Sequence, residues 1–166
     1  MKGPFRFGLV AAAALLVLGY CATTPHSSVE VPWPDPGAQV RIEIRGILSE
    51  DWWIVAETPG GRFARAMWTN WGPARTANLY RTEEGGVAVV GAGMLAATLS
   101  LPPRGQPREV AVRGNGRDWR YLGVVTISDG PMRFLPASAA PECIALYGIG
   151  SVPVRADMQR RECATP

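Results

Sequence analysis

Glycine and proline punctuate this chain so densely that long helices have little room. Of 166 residues, 19 are glycine and 15 are proline. Glycine in a helix interior costs about 1 kcal/mol relative to alanine and proline about 3 kcal/mol. The breakers fall between runs rich in β-branched and aromatic residues. Pro59-Gly60-Gly61 divides "WWIVAET" from "RFARAMW", and Gly85-Gly86 divides "ANLYRTEE" from "VAVVGAGMLAATLSL". Gly114-Asn115-Gly116 and Asp129-Gly130-Pro131 interrupt the later runs in the same way. Each is a hairpin signal.

Within the runs the period is two. In "VRIEIR", Val40, Ile42 and Ile44 alternate with Arg41, Glu43 and Arg45, as in a strand with one face buried. In a later run, Trp119, Tyr121, Gly123, Val125 and Ile127 would share one face. The pattern predicts an all-β fold: a small antiparallel meander closed as a barrel or a sandwich. Helix is expected only in short pieces, over Met94–Ser100 and Arg155–Glu162.

The N-terminus reads differently. Lys2 and Arg6 precede an uncharged stretch whose core, residues 9–18, is continuously apolar. A basic start followed by such a run is the layout of an export signal, and the run is short of the roughly 20 residues of a membrane-crossing helix. It ends in Leu18-Gly19-Tyr20-Cys21. This box resembles the processing site of bacterial lipoprotein precursors, with Tyr20 where that class has a small residue. The resemblance covers residues 1–24. It implies diacylglycerol on the Cys21 thiol, cleavage before Cys21, and a protein held by lipid at the periplasmic side of a bacterial membrane. A soluble periplasmic or secreted chain is the alternative address.

The expected organisation is therefore a signal peptide over residues 1–20, a lipidated, proline-rich tether over 21–38, and a single β-rich domain over 39–166. The tether, "ATTPHSSVEVPWPDPGA", contains the one histidine, His26, to which no catalytic role is given. Of three cysteines, Cys21 is assigned to lipid, so Cys143 and Cys163 are free to pair. A disulfide there persists in an oxidising compartment and closes a loop of about 20 residues, worth on the order of 3 kcal/mol.

Composition excludes more than it assigns. The formal charge is +3, and the signal's Lys2 and Arg6 account for two of those charges, so nucleic-acid binding is not expected. Cysteine and histidine lack metal-ligand spacing, so no metal is expected. A G-x-S-x-G nucleophile motif is absent. Paired carboxylates occur as Glu50-Asp51 and Glu83-Glu84, and Glu83-Glu84, beside a Gly-Gly turn, reads as solvated charge. Gly91, Gly93 and Ala96 satisfy G-x-G-x-x-A after an apolar run, a pattern that cradles pyrophosphate where a helix follows. Pro102-Pro103 leaves that helix about two turns, too few for a crossover unit. No cofactor is expected.

The feature above background is aromatic. Trp52, Trp53, Trp68 and Trp71 crowd into about 20 residues, with Arg62 and Arg65 nearby. Adjacent strand residues face opposite ways, so Trp52 and Trp53 cannot both point to one core. The six residues form a candidate patch for stacking on sugar, cell-wall material or an envelope protein. The expected function is that of a binding or structural accessory subunit of the cell envelope, not an enzyme. The alternatives are a small-ligand carrier with an aromatic-lined barrel, and a nucleotide-binding enzyme using Gly91-x-Gly93.

Overall fold

The computed structural model describes residues 19, 24–46, 50–68, 76–91, 94–111, 119–127 and 130–140. Among them are ten strands: β1 (Pro25–Val31), β2 (Gln39–Arg45), β3 (Asp51–Thr58), β4 (Gly61–Trp68), β5 (Thr76–Arg81), β6 (Val87–Gly91), β7 (Met94–Ser100), β8 (Arg108–Glu109), β9 (Arg120–Thr126) and β10 (Arg133–Pro136). They form a four-stranded sheet, β1-β2-β3-β4, and a six-stranded sheet, β10-β9-β5-β6-β7-β8. Every pairing is antiparallel.

Alternation decides which side of each sheet is buried. Val40, Ile42 and Ile44 of β2 and Trp52, Ile54 and Ala56 of β3 enter one apolar cluster with Leu79, Val87, Val89, Leu99 and Val125 of the other sheet. Each fully buried aliphatic contributes about 1.5–3 kcal/mol. A half-exposed ion pair contributes about 0–1 kcal/mol. The shared cluster therefore holds the sheets together, and the polar contacts between them orient loops. At the margins β1 lies beside β10, and β4 beside β7.

Three expectations are corrected. The first is the boundary at Gln39. Pro25–Val31, expected as tether, is a strand, with Val29 opposite Ile42 and Val31 opposite Val40. Its ladder to β2 supplies the backbone partners that a free tether would take from water. His26 thus sits on an edge strand, exposed.

The second correction is Met94–Ser100, a strand rather than a short helix. Val90 pairs with Leu95 and Gly91 with Met94, so the chain reverses in a hairpin. Ladder bonds to β6 override the helix preference of Met, Leu and Ala. The pyrophosphate reading required a helix at this point.

The third concerns the face shared by residues 119–127. Leu79 pairs with Gly123 but Tyr80 pairs with Tyr121, so the register slips by one residue. Gly123 takes φ +151° at this slip. A bulge moves the residues before it to the opposite face. Val125 and Ile127 accordingly join the inter-sheet cluster, while Trp119 and Tyr121 join Tyr80, Ala88 and Val90 on the other side of the sheet.

Candidate functional site

The expected aromatic patch is divided between the two faces of the four-stranded sheet. Trp52 and Trp68 point inward, 4% and 7% exposed, and meet edge-to-face with ring centroids 6.0 Å apart. The Trp68 ring also explains a glycine. A Cβ built on Gly91 would lie 2.5 Å from its Cη2 atom and 3.0 Å from the Thr76 carbonyl oxygen. Gly91 makes room for an indole.

Trp53 faces outward, half-buried, with the Arg45 guanidinium 4.5 Å above its ring. Arg45 is held in turn by Glu43, with Nε and Nη2 donating to Oε2 at 2.9 and 2.6 Å. Arg41 Nε approaches the other Glu43 oxygen at 3.6 Å and its Nη2 donates to Glu57 at 2.6 Å. Arg62 completes the row, 3.3 Å from Glu57. This face is a ladder of alternating charge.

Arg65 goes elsewhere. It pairs with Glu109 of β8 and so links β4 to the far margin of the six-stranded sheet. Trp71, Gly93, Cys21, Cys143, Cys163 and the segment Arg155–Glu162 lie outside the described residues.

A pocket that no sequence motif announces lies where β1 turns into β2. It has a volume of about 460 Å³ and is lined by Trp33, Asp35, Pro36–Ala38, Gln39, Glu57 and Thr58. Local structure explains how these residues meet. Prolines 32, 34 and 36 flank Trp33 and Asp35 and disfavour a helix in the connection. Gln39 and Glu57 are cross-strand partners at the ends of β2 and β3, which sets their side chains next to each other.

The walls are fixed by contacts to the second sheet. Arg81, at the end of β5, donates through Nη2 to Asp35 Oδ1 at 2.7 Å and Oδ2 at 2.9 Å, and through Nε to Oδ2 at 3.2 Å. Thr58 donates its hydroxyl to the Gly105 carbonyl at 2.6 Å, tying the turn after β3 to the loop before β8. Trp33 packs partly against the inter-sheet cluster, and its Nε1 is shielded from solvent without a hydrogen-bond partner.

Charge in the pocket is balanced. Asp35 is matched by Arg81, and Glu57 by Arg41 and Arg62. Both carboxylates keep lone pairs for further donors, because each has about four acceptor sites. Among the described residues no group of three His, Cys, Asp or Glu side chains could hold a metal ion. Among them, too, no helix is long and apolar enough to cross a membrane.

A reading of Val29 and Val31 as alternating with Ser28 and Glu30 would have found β1. It would have placed Trp33–Ala38 as a connection between strands, and so brought Trp33 beside the end of β3. No protein family model, curated protein or solved structure matches this chain.

Proposed function

We propose that this chain is an exported, lipid-anchored β-domain that serves as a binding or structural accessory subunit at the periplasmic face of a bacterial envelope membrane. In this reading the two sheets stack as a sandwich, and the domain works through its surface. The observation that carries the binding role is where space lies. Large side chains from both sheets fill the volume between them, whereas the 460 Å³ pocket opens at the margin of that core, between the β1–β2 connection and the ends of β2 and β3.

A carrier would need an enclosed apolar chamber of a few hundred Å³. The pocket lined by Asp35, Gln39, Glu57 and Thr58 has the opposite character. A nucleotide-binding enzyme built on Gly91-x-Gly93 would need a helix where β7 stands. The accessory role is the reading we adopt.

The anchor rests on Lys2, Arg6, the apolar run and Cys21. Anchoring would act by raising local concentration, so that weak contacts become effective at one surface. Cys21→Ala is expected to move the protein from the membrane fraction to the soluble periplasmic fraction. Unchanged membrane association in that variant would overturn the lipid anchor and point to an uncleaved helix.

A further inference from the structure

We propose that the pocket between the β1–β2 connection and the end of β3 binds a neutral, hydroxyl-rich ligand: one or two sugar rings of an uncharged glycan. The inference deepens the binding role proposed above and rests on it, since it names the ligand class of that surface.

Three observations select this chemistry. The first is charge. Asp35 faces Arg81, and Glu57 faces Arg41 and Arg62, so every carboxylate lining the pocket already has a guanidinium partner. A cation would have to displace arginine from carboxylate, and an anion would meet carboxylate oxygens. An uncharged ligand meets neither obstacle.

The second is the kind of polar group. Gln39 offers a planar amide with a donor and an acceptor side by side, and Asp35 and Glu57 offer planar carboxylates. Such groups suit paired hydroxyls on adjacent ring carbons, which present two donors or acceptors at matching spacing. Gln39 and Glu57 stand opposite each other across the β2–β3 ladder, so the two planar groups are neighbours. Thr58 is a poorer partner, because its proton is already given to Gly105.

The third is Trp33. It supplies aromatic surface beside Asp35, Gln39 and Glu57, with Pro36 and Ala38 as the other apolar lining. The C–H faces of a sugar ring pack on such surface, while ring hydroxyls reach the groups around it. A volume of about 460 Å³ lies in the usual range of small-ligand sites and accommodates a disaccharide with some water.

The test is calorimetric titration of the full exported chain, solubilised in detergent, with cellobiose and N,N′-diacetylchitobiose. A digalacturonate and a glucosamine dimer serve as charged counterparts. Saturable binding of a neutral disaccharide is expected, stronger than that of the charged dimers and little changed by salt. Trp33→Ala should weaken it about ten-fold, and Gln39→Ala by roughly three- to ten-fold. Arg120→Ala, exposed on β9 of the other sheet, should leave it unchanged.

Gln39 is exposed, so its variant decides the matter if loss of Trp33 from the core unfolds the domain. Three results would overturn the inference: no saturable binding of either neutral sugar, preference for a charged dimer that fades with salt, or undiminished affinity in Gln39→Ala. The titration needs no membrane anchor, so its failure and that of the Cys21→Ala fractionation are separable.

Discussion

The outer faces of the two sheets solve the same problem in different ways. On the four-stranded sheet, Arg45, Glu43, Arg41, Glu57 and Arg62 form a charge ladder whose long side chains lie over Trp53 and the neighbouring strand. On the six-stranded sheet the outer face buries aromatic and apolar side chains together with Asn78, Thr98 and Thr126. Tyr80 sits 6.1 Å from Trp119 and 5.6 Å from Tyr121, with Ala88 and Val90 buried beside them. Strand β6 is buried at every position, inward and outward alike. An antiparallel sheet ordinarily leaves one face to water. Here the smaller sheet carries paired charges on that face, with Glu43 and Val55 buried among them, and the larger sheet buries aromatic rings there.

The contrast is open to measurement. The largest effect is expected at Tyr80, which is fully buried on the outer side of β5. Tyr80→Ala should lower unfolding stability by about 3–4 kcal/mol, read from the urea midpoint at constant slope. A loss below about 1 kcal/mol would mean that this face is loosely packed, and the contrast would collapse.

Next is Glu43, whose side chain is 5% exposed beside an Arg45 that is 12% exposed. Glu43→Gln removes the charge and leaves a mostly buried guanidinium without its carboxylate. A cost of about 2 kcal/mol is expected, and replacing Arg45 by Met in the same chain should recover part of it. If the double variant is no more stable than the single one, the ladder acts through packing and not through charge.

The smallest effect belongs to the rim. Arg62, about half exposed, pairs only with Glu57 among the contacts of this ladder. Arg62→Ala should change stability by less than about 0.5 kcal/mol, with the difference vanishing in high salt. A larger, salt-insensitive loss would extend the cooperative network to the edge of the sheet.

Much of this division can be read from residue order, and its gaps have physical causes. "VRIEIR" declares its two faces because nothing interrupts the period of two. The Trp52-Trp53 pair declares that its members part company, though only the cross-strand partner Trp68 determines that Trp52 is the inward one. The exchange of faces at Gly123 was illegible, because a one-residue bulge leaves no trace in hydropathy. "PHSSVEVPWPDP" reads as tether on composition; its strand character comes from pairing with β2, which is a tertiary property. The glycines near residue 91 resembled a phosphate loop because close packing on an indole and close approach of a pyrophosphate impose the same demand for a missing side chain. The pocket was hidden for a related reason. Its residues come from two separated segments, and Arg81 reaches it from the other sheet.

The early start of β1 shortens the leash. With lipid on Cys21, as proposed, the four residues to Pro25 span at most about 14 Å, so the first strand begins almost at the headgroups. β1 then runs its seven residues, about 20 Å, before the chain reaches Trp33 and Asp35. Attachment and pocket would therefore lie at opposite ends of β1.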